Sequence, residues 1–182
     1  TQQLGTSSRD HARGVATDSS ANVYVTGDTY GGLDGTNAGY VDIFVVKYSS
    51  SGTKQWTKQL GTSSADVANG VAIDSSGNVY VTGYTGGGLD NNTSAGYSDL
   101  FVVKYDSSGT KQWTKQLGTS SWDDAHGVAT DSSGNVYVTG RTSGGLDGTN
   151  AGGSYDIFVV KYDSSGTKQW TKQLGTSSAD IA

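Results

Sequence analysis

Polar and apolar residues alternate along this chain in short stretches that return at a fixed interval. NVYVTG at 22–27, 78–83 and 135–140 alternates Val with Asn, Tyr and Thr, the period of two that marks a strand. D-[IL]-FVVKY at 42–48, 99–105 and 156–162 is apolar on both faces, which predicts a strand sandwiched between sheets. KQWTKQL at 54–60, 111–117 and 168–174 sets Lys and Gln around one Trp, a pattern suited to an exposed outer edge guarded against edge-to-edge pairing. GVATD at 14–18 and 127–131, with GVAID at 70–74, is built of small residues, as expected of an innermost strand where neighbouring units crowd. In chain order these segments are a (small), b (alternating), c (apolar) and d (Lys-bearing).

The linking phrases carry turn chemistry. DSSGN at 74–78 and 131–135, DSSAN at 18–22, joins a to b; DSSGT at 106–110 and 163–167, SSSGT at 49–53, joins c to d. Asp and Ser side chains cap the turn backbone and Gly supplies positive φ, so both are tight hairpins. Ala21 stands where the other a–b turns have Gly and is expected to strain its turn.

FVVKYDSSGTKQWTKQLGTSS at 101–121 returns unchanged at 158–178, and at 44–64 with Ser49 as the one difference. Self-similarity at about 57 residues, four antiparallel strands per unit and short hairpins predict an all-β β-propeller. The chain divides into the end of an outer strand (1–4), blades at 5–60, 61–117 and 118–174, and the start of a further blade (175–182). A β-helix, whose rungs are shorter, and an open stacked-sheet solenoid are the alternatives. Three blades leave the ring incomplete, since propellers run from about four to eight blades. Closure is expected from missing repeats of a longer array, because both ends fall mid-repeat; two copies making six blades, or an open multi-chain assembly, are the other routes.

GVATDSSGNVYVTG, followed by D-[IL]-FVVKYDSSG and KQWTKQLGTS, resembles the bacterial SBBP β-propeller repeat, a relative of the NHL-type propellers. The resemblance covers all three repeats. It implies blades of a bacterial protein that is secreted or exposed at the cell surface, and it implies no catalytic motif.

Composition narrows the chemistry. The apolar share is 33% and Gly numbers 28, yet 18 aromatic residues and the recurring β-branched runs argue for order over a flexible linker. There is no Cys, hence no disulfide or thiol chemistry. All 17 acidic residues are Asp, and the two His residues, His11 and His126, fall at different positions of different repeats. No HExxH and no GxSxG occurs, so zinc-hydrolase and serine-hydrolase sites are unsupported. A net charge of −5 disfavours nucleic acid and anionic membranes, which bind basic patches. No enzyme activity is expected.

The a–b and c–d hairpins barely vary between repeats, whereas the d–a and b–c connections differ. The variable residues are Arg9, His11 and Arg13 in the first repeat, Asn69 in the second, and Trp122, Asp124 and His126 in the third. At the start of the b–c connection they are Asp28 and Tyr30, then Tyr84, then Arg141. Variation gathered on one face suggests a recognition surface on a rigid scaffold, for protein or glycan; drift at tolerant loop positions is the competing account. Trp122 suits stacking on a sugar, whereas Trp56, Trp113 and Trp170 recur as packing anchors. The recurring Asp10, Asp66, Asp123 and Asp180 are expected to accept hydrogen bonds from the GTSS backbone. The GGLD loops at 31–39, 87–96 and 144–152 hold oxygens of the kind calcium takes, but in no known calcium spacing, so no cofactor is expected and turn chemistry is the reading adopted. Asn91 and Asn92 open N-x-[ST] triplets, relevant only in a glycosylating host. The function expected is a non-catalytic scaffold and interaction platform; the alternative is a structural unit whose blades join between chains with no ligand.

Overall fold

The computed structural model describes residues 3–148 and 150–180. It is all-β, with three four-stranded antiparallel sheets that are the three blades. The first holds β1 (Asp10–Thr17), β2 (Val23–Thr29), β3 (Asp42–Tyr48) and β4 (Lys54–Leu60). The second holds β5 (Asp66–Ile73), β6 (Val79–Thr85), β7 (Asp99–Tyr105) and β8 (Lys111–Leu117). The third holds β9 (Asp123–Thr130), β10 (Val136–Thr142), β11 (Asp156–Tyr162) and β12 (Lys168–Leu174). Strand order within each sheet follows the sequence, so every link inside a blade is a hairpin or a b–c loop. The b–c loop of the second blade includes a single 3-10 turn, Leu89–Asn91.

Segments c and d form the strands their patterns predict, and b runs two residues further than its pattern, to Thr29, Thr85 and Thr142. Segment a is longer than predicted. The inner strands begin four residues before the GVA phrase, at Asp10, Asp66 and Asp123, and pair with b out to Thr29, Thr85 and Thr142. One residue in each inner strand, Arg13, Asn69 or His126, is bulged out of register. A bulge breaks strict alternation, which hides the polar half of the strand from pattern reading.

Alternate residues of each c strand enter different cores. Tyr24, Ile43, Val45, Trp56 and Leu60 of the first blade pack against Ala68, Val79, Val81, Phe101, Val103 and Tyr105 of the second. Tyr80, Leu100, Val102, Trp113 and Leu117 of the second blade pack in the same way against Ala125, Val136, Val138, Phe158, Val160 and Tyr162 of the third. Each blade thus has a leading face toward its predecessor and a trailing face toward its successor. Polar clips repeat at both junctions. Lys47 and Lys104 lie over the rings of Tyr24 and Tyr80 and donate to the backbone carbonyls of Ser107 and Ser164 in the next blade. The Trp56 indole N–H also donates to Ser107.

The strand expected at 1–4 is not formed where the structure describes it: Gln3 and Leu4 belong to no strand, and Thr1 and Gln2 lie outside the described residues. Without the rest of a d strand there is no c strand beside them to supply a ladder. At the other end Ile181 and Ala182 lie outside the described residues, and Gly175–Asp180 forms a connection without a strand. Ala21 takes φ = 59°, the left-handed conformation its glycine counterparts Gly77 and Gly134 adopt at 79° and 77°.

Candidate functional site

The face carrying the d–a and b–c connections is built on a repeated carboxylate lock. Thr6, Thr62 and Thr119 donate their backbone N–H to Asp10, Asp66 and Asp123 at 2.7, 2.6 and 2.6 Å, and Thr176 does the same to Asp180 at 2.7 Å. The hydroxyls of Thr29, Thr85 and Thr142 donate to the second oxygen of the same carboxylates. These four Asp residues are therefore structural, as the GTSS phrase suggested. Burial pushes Asp66 and Asp123 above the ordinary carboxylate range, an effect the threonine hydrogen bonds only partly offset.

Above the lock lie the residues that differ between blades. Most stand on strands and not on the loops expected from the sequence. His11 and Arg13 are in β1, Asp28 in β2, Asn69 in β5, Tyr84 in β6, Asp124 and His126 in β9, and Arg141 in β10. Only Arg9, Tyr30 and Trp122 flank the strands. The correction follows from the longer inner strand and from strand b, which pairs with it two residues past its predicted end. The register brings three cross-strand pairs to one level: His11 with Asp28, Val67 with Tyr84, and Asp124 with Arg141.

In the first blade the buried Asp28 accepts from His11 Nδ1 at 2.9 Å and from Arg13 Nε. Arg9 lies over the Tyr30 ring at 5.3 Å, and Tyr30 meets Tyr40 edge-on. In the second blade Asn69 reaches across to donate to the Ala125 carbonyl at 2.8 Å, tying two inner strands together. In the third blade Asp124 accepts from Ser98 Oγ at 2.9 Å and from Arg141 at 3.2 Å. Arg141 in turn covers the Tyr155 ring at 4.4 Å. Burial and the nearby Arg141 guanidinium hold His126 below its ordinary value, against the pull of Asp124.

Tyr84, Trp122, Asp124, Arg141 and Tyr155 enclose an open cleft of about 280 Å³ between the second and third blades. Burial and the Asp124 charge raise the Tyr84 hydroxyl. Trp122 is 49% exposed and stacks on Tyr97, itself 70% exposed, with centroids 5.4 Å apart and planes at 11°. The result is a flat aromatic plate beside a carboxylate and a guanidinium. The structure brings four predicted residues together here, Tyr84, Trp122, Asp124 and Arg141. It gathers Arg9, His11, Arg13, Asp28 and Tyr30 into a separate cluster on the first blade, with Asn69 and His126 on inner strands between.

Sequence reasoning missed Tyr40, Tyr97, Tyr155 and Ser98. They sit at the end of the b–c loop, immediately before segment c, where the repeats read GYVD, GYSD and GSYD. The aromatic shifts by one position in the third repeat, and that shift was the available signal.

Several of the loop oxygens considered for calcium are engaged by the protein itself. Asn37 and Asn150 accept from the N–H of Gly39 and Gly152. Asp90 pairs with Lys111, and Asp147 accepts from the Gln173 N–H.

Blades of four antiparallel strands, packed face to face with their inner strands adjacent, make this a β-propeller repeat protein. The SBBP beta-propeller repeat matches at residues 1–34, 55–90 and 112–147, more than half of the sequence, and the chain belongs to that family. Regulatory protein FlaEY of Caulobacter vibrioides is 29% identical over 92% of this chain and 20% of its own length. An uncharacterized WD repeat-containing protein of Acanthamoeba polyphaga mimivirus is 29% identical over 77% of this chain and 12% of its own length. The chain thus spans a fifth or less of both relatives.

Proposed function

We propose that these blades form a non-catalytic interaction module whose ligand is a glycan, held in the cleft between the second and third blades. The observation that carries this reading is the exposed Trp122–Tyr97 plate beside the Asp124–Arg141 pair. The apolar face of a pyranose ring stacks on an indole, and its hydroxyls take hydrogen bonds from a guanidinium and give them to a carboxylate. Both polar groups are fixed in advance: Asp124 by Ser98, and Arg141 by the Tyr155 ring. Such preorganisation lowers the cost of binding. FlaEY carries a regulatory name, which is compatible with a module that works through recognition and not through chemistry.

The test is titration of the chain with a panel of oligosaccharides by calorimetry, alongside Trp122→Ala and Arg141→Gln. Binding that is lost in Trp122→Ala, while the far-ultraviolet spectrum is kept, supports the reading. Binding that survives both substitutions, or no saccharide binding at all, overturns it.

A further inference from the structure

The arginines and lysines of this chain keep to different places. All nine lysines recur in the c and d segments, whereas the three arginines, Arg9, Arg13 and Arg141, lie on the face of the d–a and b–c connections. Arg141 is paired with Asp124. The other two belong to the first blade, where the acid beside them is already occupied. Asp28 is 2% exposed, and its two oxygens accept from His11 Nδ1 at 2.9 Å and from Arg13 Nε. Bonding through Nε leaves both terminal nitrogens of Arg13 without a protein partner among the described residues, on a side chain that is 42% exposed. Arg9 is exposed over the Tyr30 ring and forms no ion pair among the described residues. The row Arg9, Tyr30, His11, Asp28, Arg13 thus sets two guanidiniums against one buried carboxylate, in a chain of net charge −5. The same positions stay accessible within the array: Trp122, the counterpart of Arg9, is half exposed with a blade before it, and Asn69, the counterpart of Arg13, is half-buried between two blades.

Tyr84 joins this row to the cleft. It lines the cleft, and β5, the strand beside it, packs against β1 and β2 of the first blade. Burial raises its hydroxyl above the ordinary tyrosine range and keeps it a donor; the charges that also act on it include Asp124 on the third blade and Arg13 and Asp28 on the first. Such influence fades over about 10 Å at ordinary ionic strength, so the phenol stands between the two sets of groups.

We propose that the glycan is acidic, an oligosaccharide whose carboxylate or sulfate groups are held by Arg13 and Arg9 while one of its rings stacks on Trp122. This inference rests on the glycan reading of the cleft. A guanidinium matches the paired oxygens of either anion with two parallel hydrogen bonds, which a lysine cannot do. Arg13, nearest Tyr84, takes the acidic group closest to the stacked ring, and Arg9 takes a second one further along. The negative chain as a whole repels a polyanion, so its binding depends on this local surplus of cations.

Calorimetric titration tests this with two matched pairs of probes: short oligogalacturonates and their methyl esters, and dextran sulfate and dextran oligosaccharides. The acidic member of a pair is expected to bind at least about tenfold more tightly than the neutral one, and to lose about that factor in Arg13→Gln and in Arg9→Gln. Arg9 has no ion pair to lose, so its variant keeps the fold whatever Arg13→Gln does to Asp28. Lys54→Gln, at an exposed position of β4, should leave the affinity unchanged. Preference for the galacturonate pair identifies the group as carboxylate and preference for the dextran pair as sulfate; either supports the proposal. Equal affinity for charged and neutral probes, or an equal loss in Lys54→Gln, overturns it and leaves the neutral-sugar reading of the cleft standing. Binding that depends on Arg9 and Arg13 but survives Trp122→Ala keeps the anion site and overturns the aromatic plate. A chain that binds none of these probes overturns both.

Discussion

Asp124 and Arg141 face each other across β9 and β10 at the register step where His11 and Asp28 face each other across β1 and β2. The acid has changed strands between the two blades while the pair has been kept. At that step the second blade carries Val67 and Tyr84, without charge. One scaffold position therefore presents three chemistries around the inner strands, and the groups beside it are tuned blade by blade.

His126 reports on that tuning. Burial and Arg141 hold its pKa below the ordinary 6.5, so protonation favours the unfolded chain. This contribution to stability is complete above about 6.5 and is lost as pH falls through the folded value. Arg141→Gln removes the nearby cation and leaves Asp124 unopposed. The expected outcome is an upward shift of the His126 titration, followed by proton NMR with His11 as the internal comparison. An unchanged or lower value would show that the guanidinium does not reach the imidazole.

The a–b turns predict how the protein responds to acid. Asp18, Asp74 and Asp131 each accept from two backbone N–H groups, an Asn side chain and the hydroxyl of a Tyr two strand positions beyond that Asn. Burial opposes ionisation at Asp18, but these hydrogen bonds outweigh it and draw the carboxyl down to about 2. Asp74 and Asp131 shift the same way. A depressed carboxylate adds stability above its ordinary value of 3.8, and that stability disappears as pH falls from there toward the folded value. Asp66 and Asp123 act in the opposite sense, since their raised values make ionisation costly to the fold. The depressed set is larger, so the melting temperature is expected to fall steeply below about pH 4. At neutral pH, Asp74→Asn should cost about 1–2 kcal/mol by chemical denaturation, the loss of charge-assisted bonds at a half-exposed site. A melting curve flat with pH from 5 to about 2 would contradict the assignment.

Ala21→Gly should stabilise the chain by about 1 kcal/mol, because a left-handed backbone costs an L-residue about that much and glycine nothing comparable. Gly77→Ala in the second blade should destabilise by a similar amount, and equilibrium denaturation of the two variants measures both signs. Equal stability of the wild type and Ala21→Gly would mean that the turn relaxes around its alanine.

This turn was legible in the sequence because three near-identical copies expose a single departure. Strands b, c and d were legible for a related reason: Val23, Val25, Val79 and Val81 keep strict alternation, and FVVKY fills two cores at once. The first half of each inner strand was not. DHAR, DVAN and DDAH share no alternation, and the bulge at Arg13, Asn69 and His126 shifts the following residues by one position. Of the site, the residue types were visible and the grouping was not. Nothing in the spacing pairs Trp122 with Tyr97, because that stack depends on a b–c loop of one blade meeting the d–a connection of the next, where Ser98 and Trp122 form a parallel bridge.

The bulge itself rests on a glycine in the neighbouring strand. Gly27, Gly83 and Gly140 lie where the inner strand crosses closest to strand b, and a Cβ at any of them would run into the backbone carbonyl of His11, Val67 or Asp124. A side chain there cannot turn away, since the obstacle is backbone of a strand paired on both sides of the bulge, so the two strands must separate. That separation loosens the Asp66–Thr85 lock on one side and the Asn69 bond to Ala125 on the other. Gly83→Ala, in the central blade with junctions on both faces, is therefore expected to cost about 3 kcal/mol or more, at the upper end for overpacking. Urea denaturation measures the loss, and amide exchange at Ala68 and Asn69 shows whether it begins at the bulge. A change within about 0.5 kcal/mol, the ordinary range for a surface substitution, would mean that the close approach does not hold the bulge in place.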